Sequence, residues 1–261
     1  MGLLLGHRWA WDEAGVLHRD VSITNIMFYR TLEGIIGVLC DWDLSDTKEA
    51  IGEEKPLAVD EGSYEAIDDT INYEREESKD VSEQPAKDDD SKKGKARYRT
   101  GTGPFMALDL LAPGPAPVHL YRHDLESFFW VLVYFVATHD PEQHTLGRIN
   151  QWVDSNLQIV RHHKTQFLTD VVCKKRVVSK AHPLYKAFIN TICWDLHLMF
   201  MGVENDRSTL NGDRIRYMNA IAKKDTEDEE YYGDKIIKLC DSRNGQATFK
   251  RFMKYLGSHL G

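Results

Sequence analysis

Two polar residues five positions apart, Asp20 and Asn25, are the strongest candidates for chemistry in this chain. They belong to the run HRDVSITN at residues 18–25, which fits the spacing H-R-D-x-x-x-x-N. Phosphoryl transfer needs a carboxylate beside the attacking hydroxyl and an oxygen ligand for magnesium. Asp20 suits the first role and Asn25 the second, so one loop would reach both the hydroxyl and the metal. An ordinary surface turn is the alternative for this run taken alone.

A second acid lies sixteen residues after Asn25, in the run LCDWD at residues 39–43. Asp41 matches the acid of the metal-binding D-F-G pattern, and Trp42 stands in the place of the Phe. Asp43 replaces the Gly, which removes a flexible position and adds a charge close to the predicted metals. A strand-ending Asp in a turn is the alternative interpretation of Asp41.

Two further runs follow, GTGPFMALD at residues 101–109 and RHDLESFFW at residues 122–130. A Gly-rich phosphate loop is one interpretation of the first run, but it lacks a third Gly, a GK[ST] sequence and a preceding strand. The second run opens a strongly apolar segment. Asp124 could therefore act as the N-cap of a helix there.

The elements that must position these runs are mostly helical. Residues 3–14 predict a helix that ends at Gly15, and the β-type runs 26–29 and 35–39, joined through 32–34, predict a hairpin. Residues 125–137 are apolar nearly all round, which predicts a helix at the centre of a domain. Further helices are predicted from Pro183 and over 248–256, so the fold class is mainly α with a small β-hairpin and about six to eight helices.

Composition excludes several classes of protein. The net charge of −8 argues against a nucleic-acid binder, and no apolar run reaches the roughly 18 residues that span a bilayer. The first 15 residues are too short and too charged for a signal peptide, which predicts an intracellular protein of cytoplasm or nucleus. Four scattered cysteines predict buried, reduced thiols. Between residues 45 and 99, 17 acidic and 10 basic side chains predict a solvated insertion, disordered over roughly 73–97.

In this order the four runs resemble the protein-kinase superfamily, and their particular residues are similar to those of the fungal-type protein kinase family. The run DLES at 124–127 is also similar to the casein kinase I branch, and the runs HPLY at 182–185 and TFKRFM at 248–253 are similar to the tail of the fungal-type group. The resemblance implies a protein-kinase-like C-terminal lobe over residues 1–261. The acidic insertion at about 45–99 would then interrupt its activation segment.

The resemblance also implies roles for individual residues, with ATP and Mg²⁺ as cofactors. It implies catalytic roles for Asp20, Arg19 and Asn25, ATP binding by Ser22, Asn25 and Asp41, metal binding by Asn25 and Asp41, and structural support from His18, Thr102 and Asp124. Asp20 would deprotonate the substrate hydroxyl, Thr102 would favour Ser/Thr substrates, and Asp124 would bond the backbone of the catalytic loop. At the end of the activation segment Leu108 stands for the usual Pro and Asp109 for the usual Glu.

The kinase parts that grip ATP have no counterpart in the sequence. Only 17 residues precede His18, which leaves no room for a β-rich N-lobe with its Gly-rich loop and lysine, and Ser22 occupies the place of the usual catalytic-loop lysine. Three hypotheses follow: a Ser/Thr kinase completed by an N-lobe, an inactive pseudokinase fragment that binds partners, and a small-molecule phosphotransferase. The expected partner is a protein substrate or binding protein, with no nucleic acid and no membrane. A lobe without its N-lobe should expose an apolar patch near the hairpin.

Overall fold

The computed structural model describes residues 2–32, 34–48, 100–114 and 117–257. The predicted disordered segment, 73–97, and most of the predicted insertion at 45–99 lie outside these residues. The helices of the described residues are α1 Gly2–Glu13, α2 Tyr121–Thr138, α3 Leu157–Thr169, α4 Val171–Val178, α5 Lys186–Phe188, α6 Trp194–Lys223, α7 Thr226–Ser242 and α8 Phe249–Gly257. The described part is therefore mainly helical, as the sequence predicts.

The strands of the described residues form three antiparallel pairs. β1 (Val16–Leu17) pairs with β4 (Asp46–Thr47), β2 (Ile26–Thr31) with β3 (Gly34–Leu39), and β5 (His139–Asp140) with β6 (Thr145–Leu146). The pair β2–β3 is the predicted hairpin. Together with the helices it confirms the fold class of mainly α with a small β-hairpin.

Helix α2 lies at the centre of the main core, as its apolar sequence predicts. Leu125, Phe129 and Trp130 have no exposed surface. The ring of Trp130 meets that of Trp152 edge-on at 5.2 Å, and Phe129 stacks on Phe200 at 4.9 Å. Large aromatic side chains contribute most to such cores because each removes a large apolar area from water. None of the described helices is long and apolar enough to cross a membrane.

Helix α1 and the hairpin bracket the run at residues 18–25. The helix ends before Gly15, whose φ of +64° is the left-handed conformation that commonly terminates helices. In the hairpin Ile26 pairs with Leu39, and the amide of Cys40 donates to the carbonyl of Asn25 at 2.8 Å. The open end of the hairpin therefore holds Asn25 beside the segment that carries Asp41.

The hairpin exposes large apolar side chains. The hairpin patch, as we name it, consists of Met27, Phe28, Tyr29, Leu32, Ile35 and Ile36, all of which are exposed. Phe28 retains 70 % of its surface and Ile35 66 %. The apolar patch predicted near the hairpin is thus present in the structure.

The segment that begins at Pro183 differs from the single helix predicted there. A 3₁₀ turn at Pro183–Tyr185 leads through α5 into a π-helical stretch, Ile189–Cys193, before α6 begins. Within this stretch the hydroxyl of Thr191 donates to the carbonyl of Ala187 at 2.9 Å, competing for a backbone acceptor. The prediction of buried thiols was wrong for Cys40 and Cys173, which are half-buried, and right for Cys193 and Cys240.

Candidate active site

The run at residues 18–25 is a tight loop between β1 and the hairpin. Arg19 has a φ of +69° and Asp41 a φ of +63°, a conformation rarely adopted by non-glycine residues. The other described non-glycine residues with positive φ lie at helix ends or in the β5–β6 turn. Backbone strain away from such places is characteristic of functional sites, because surrounding contacts must hold it.

The carboxylate of Asp20 is fixed by three hydrogen bonds. Its Oδ1 accepts from the backbone amide of Thr102 at 2.7 Å and from the Thr102 hydroxyl at 2.8 Å. Its Oδ2 accepts from the side-chain amide of Asn25 at 3.2 Å. Two chain segments 82 residues apart thus meet at one half-buried carboxylate. Because Oδ1 is saturated, Oδ2 is the oxygen with capacity for a further proton donor.

The side chain of Asn25 is oriented by the same contacts. Its amide nitrogen also donates to the backbone carbonyl of Asp20 at 2.9 Å, so its Oδ1 points away from these partners. The Thr24 hydroxyl lies 3.4 Å from that Oδ1 and 2.8 Å from the Ser22 hydroxyl. Ser22 is fully buried and reaches Asn25 only through Thr24. Its predicted contact with ATP stays a prediction.

His18 joins the loop to the segment of Asp41. Its Nδ1 accepts from the amide of Asp20 at 3.2 Å, so its Nε2 carries the proton and donates to the carbonyl of Cys40 at 2.9 Å. The ring of Trp42 meets the His18 ring edge-on at 4.6 Å, and the indole N–H of Trp42 donates to the carbonyl of Leu39 at 2.9 Å. These contacts fix the backbone on both sides of Asp41.

Asp41 and Asn25 have donor atoms suited to magnesium. The Asp41 side chain is exposed and forms no hydrogen bond or ion pair with the described residues. Magnesium prefers hard oxygen ligands and takes one or two from a protein, the rest from water and phosphate. The Asp41 carboxylate, unpaired among the described residues, and the Asn25 amide oxygen, which accepts only a long 3.4 Å hydrogen bond from Thr24 there, fit that requirement. The described residues contain no group of three or more His, Cys, Asp or Glu that could hold a metal.

The side chain of Asp124 holds the backbone of the loop at residues 18–25. The buried carboxylate accepts from the backbone amides of His18 and Arg19, at 3.1 and 3.3 Å. Helix α2 begins at Tyr121, so Asp124 lies in its first turn but bonds the loop rather than capping the helix. The guanidinium of Arg19 pairs with Asp46 at 2.7 Å, which directs this predicted catalytic side chain toward β4.

The run at residues 101–109 ends on a buried charge cluster. Asp109 lies 2.5 Å from the guanidinium of Arg122 and 2.6 Å from that of Arg243. Burial by itself raises the pKa of Asp109, but Arg122, His123 and Arg243 together hold it well below its usual value. The acid that replaces the usual Glu therefore ties this run to α2 and to the end of α7.

Comparison with known protein families identifies the family of this chain. The sequence model of the family described as fungal protein kinase matches residues 2–136, about half of the chain. The chain belongs to the fungal protein kinase family. No curated protein and no solved structure matches it significantly. The matched residues contain the loop at 18–25, Asp41, the run at 101–109 and most of helix α2.

In this kinase-family domain a glycine lets the run at residues 101–109 approach the loop at residues 18–25. Gly101 has a φ of +121°, and a Cβ there would lie 2.9 Å from Met106 Cγ and 3.3 Å from the carbonyl oxygen of Arg19. A larger residue would therefore push the neighbouring Thr102 away from Asp20. This close approach is the structural reason for glycine at the start of the run.

Two buried charged residues that sequence reasoning missed hold the next part of the segment. Glu126 accepts from the amide of Leu108 at 2.8 Å and from the indole N–H of Trp130 at 3.0 Å. Lys164, on α3, donates to the carbonyl of Met106 and lies 4.3 Å from the centre of the Trp130 ring. Burial lowers the pKa of Lys164 to about 7, and Glu126 partly opposes that shift.

The sequence carried some signal for the missed partners but not for all of them. Asp109 stands in the Glu place of the kinase pattern, and an acid that becomes buried needs a cation as partner. In the structure Arg122 and Arg243 are those partners. Glu126 lies within the DLES run that carried the resemblance. Lys164 and two histidines that bond Asp124, His7 and His119, stand in no motif.

Proposed function

We propose that this kinase-family domain binds Mg-ATP through its own residues and transfers the γ-phosphoryl group to Ser or Thr hydroxyls of proteins. The observation that carries the proposal is the fixed carboxylate of Asp20, held by Thr102 and Asn25. Phosphoryl transfer requires little covalent chemistry from the protein and depends on positioned groups. A base that three hydrogen bonds hold in place meets that requirement.

Asp20 acts on the substrate hydroxyl. Oδ1 is occupied by Thr102, so the hydroxyl approaches Oδ2 and donates its hydrogen bond there. As the hydroxyl oxygen attacks the γ-phosphorus, its proton passes to Oδ2 of Asp20, and the bond between the γ-phosphorus and the bridging oxygen to ADP breaks. Asn25 stays bonded to the same oxygen and keeps the carboxylate in plane with the attacking group.

Asn25 and Asp41 are the residues that would hold magnesium, through Oδ1 of the amide and the free carboxylate. Bound magnesium neutralises the charge of the phosphates and so assists their approach to a carboxylate-rich site. His18 and Trp42 keep the Asp41 segment in register with the loop. These contacts hold Asp41 beside the loop that carries Asp20, so that both acids can act on one substrate although they belong to separate segments.

Calorimetric titration of Mg-ATP into the purified chain tests the proposal. The wild-type chain should bind, and Asp41→Asn should lose binding, because Asn tolerates the left-handed backbone of this position but lacks the charge. Asp43→Asn is the matched control, since Asp43 is an exposed acid two residues away. No binding by the folded wild-type chain would overturn the proposal, as would equal loss in both variants.

A second candidate function, a pseudokinase lobe that binds partner proteins, is favoured by the hairpin patch. Its large apolar side chains are exposed on both faces of the hairpin, with Phe28 and Ile35 on one face and Met27, Tyr29 and Ile36 on the other. Exposed apolar surface of this kind is typical of a region that another protein covers. Asp43, in place of the usual Gly, also lies exposed beside Asp41. A folded chain that fails to bind Mg-ATP would support this candidate over the kinase.

A further inference from the structure

One carboxylate, that of Asp124, joins three separate parts of the molecule. It has no exposed surface and accepts four hydrogen bonds. Two come from the catalytic-loop amides of His18 and Arg19. The other two come from buried imidazoles: Nε2 of His7, on α1, at 2.9 Å and Nε2 of His119, just before α2, at 2.8 Å.

Both imidazoles donate to this carboxylate. Burial by itself raises the pKa of Asp124, but His119 and His7 lower it far below the usual value, so the carboxylate is ionised and acts only as an acceptor. Each Nε2 must therefore carry a proton. The Nδ1 atom of His7 is buried and has no hydrogen-bond partner in the described part of the chain, so its contact with Asp124 is the polar contact that fixes this ring.

Ring packing fixes the position of each donor. His7 stacks on Tyr121 with ring centres 5.2 Å apart and meets Phe128 edge-on at 5.3 Å. His119 meets His123 edge-on at 5.4 Å. Burial and the neighbouring Arg122 lower the pKa of His123 to about 3, so this neighbour is neutral at physiological pH. Each donor is therefore held by ring packing, His7 against Oδ2 of the carboxylate and His119 against Oδ1.

We propose that His7 and His119 are positioning residues for the catalytic loop. They saturate Asp124 from α1 and from the segment before α2, which orients Oδ2 toward the amides of His18 and Arg19. Arg19 needs such an external hold because its φ is +69°, and Asp20 follows directly after it. Without an imidazole the carboxylate would turn about its own side-chain bond and release the loop.

The variants that test this role separate the hydrogen bond from the packing. His7→Phe keeps a ring between Tyr121 and Phe128 but removes the donor, whereas His7→Gln supplies an amide N–H at a similar reach. His119→Phe and His119→Gln make the same comparison for the second imidazole. The readout is amide hydrogen exchange, followed by NMR at His18, Arg19 and Asp20, with Phe129 in the centre of α2 as the reference amide.

Each Phe variant should speed exchange at His18 and Arg19 by about tenfold, the effect of one lost hydrogen bond, while Phe129 stays protected. Each Gln variant should restore wild-type exchange in the loop. Unchanged loop exchange in the Phe variants would overturn the inference. Exchange that rises equally at Phe129, and that Gln does not reverse, would also overturn it, because the histidines would then serve only general stability.

The kinetic consequence rests on the proposed function. If the wild-type chain transfers phosphate, His7→Phe should lower kcat and leave KM for ATP unchanged, and His7→Gln should recover kcat. A rise in KM at constant kcat would contradict positioning of the base. A wild-type chain without transfer activity would end the proposed function, while the exchange result would still decide the role of the histidines.

Discussion

The carboxylate of Asp20 and the side chain of Thr102 meet across 82 residues of sequence, and one oxygen of the acid takes both donors of the threonine. The backbone amide bond is 2.7 Å and the hydroxyl bond 2.8 Å. The run at residues 101–109 therefore contacts the loop at residues 18–25 directly. If this segment moved, the acid would lose two of its three hydrogen bonds.

Thr102→Val tests the hydroxyl contact alone. Valine matches the shape of threonine and leaves the backbone amide bond in place, so only one hydrogen bond to a charged acceptor is lost. Such bonds contribute about 1.5–3 kcal/mol, so kcat should fall about 10- to 100-fold. The measurement is steady-state transfer with Thr102→Ser as control, which should keep most of the activity. Equal rates for Val and Ser would show that the hydroxyl has no role in orienting Asp20.

Asp109→Asn should destabilise the fold at neutral pH. The change leaves Arg122 and Arg243, both nearly buried, without a countercharge, which typically costs about 3–5 kcal/mol. Chemical denaturation of both proteins at pH 7 measures this loss. Lys235→Gln, which removes a partly exposed partner of Asp213, should cost far less.

The loss of unfolding free energy caused by Asp109→Asn should depend on pH. Because the folded pKa of Asp109 lies well below the unfolded value of about 3.9, its stabilisation is complete above that value and is lost as pH falls toward the folded pKa. The difference in unfolding free energy between wild type and Asp109→Asn should therefore shrink below about pH 4. A difference that stays constant from pH 7 to pH 3 would contradict the assigned ion pair.

The lowered pKa of Lys164 predicts that the free energy of unfolding depends on pH above neutrality. Its folded pKa of about 7 lies below the unfolded value of about 10.4, so between these values the unfolded chain binds more protons. The unfolding free energy of the wild type should therefore rise from pH 7 to pH 10 relative to the double variant Lys164→Met/Glu126→Gln. Parallel curves for the two proteins over this range would exclude a buried, titrating lysine at this position.

The local elements were predictable because their causes are local. The hairpin, the loop at 18–25 and helix α2 follow from side-chain periodicity, turn residues and motif spacing within short windows. The hydrogen bonds that join them are not local: His7 lies 117 residues from Asp124, and Lys164 lies 58 residues from Met106. Such pairs form only when packing brings separate elements together, and a single sequence shows no pattern that anticipates them.

The helix prediction from Pro183 failed because a side chain competes for the backbone there. The Thr191 hydroxyl donates to the carbonyl of Ala187, and a π-helical stretch forms in place of a single helix. Ser22, in the place of the usual lysine, lies buried beside Thr24, and its contact with ATP stays a prediction.

Phe28→Ser tests the hairpin patch as an association surface. The side chain is 70 % exposed, so the free energy of unfolding should change by no more than about 0.5 kcal/mol. Binding of an apolar fluorescent dye should fall clearly, because Phe28 is one of the most exposed apolar side chains of the hairpin and shares a face with Ile35. Ile215→Ser is the matched control, since Ile215 is 57 % exposed on α6, outside the hairpin patch. Equal loss of dye binding in both variants would show that the hairpin patch has no special role.

Transfer of labelled γ-phosphate from Mg-ATP to dephosphorylated casein tests whether Asp20 is a catalytic base. The wild-type chain should label Ser and Thr of casein, and Asp20→Asn, which keeps the shape and loses the base, should reduce labelling by at least about 100-fold. Asp43→Asn should label casein nearly as well as the wild type. No labelling by a folded wild-type chain that binds Mg-ATP, or equal labelling by Asp20→Asn, would contradict a role for Asp20 as the catalytic base.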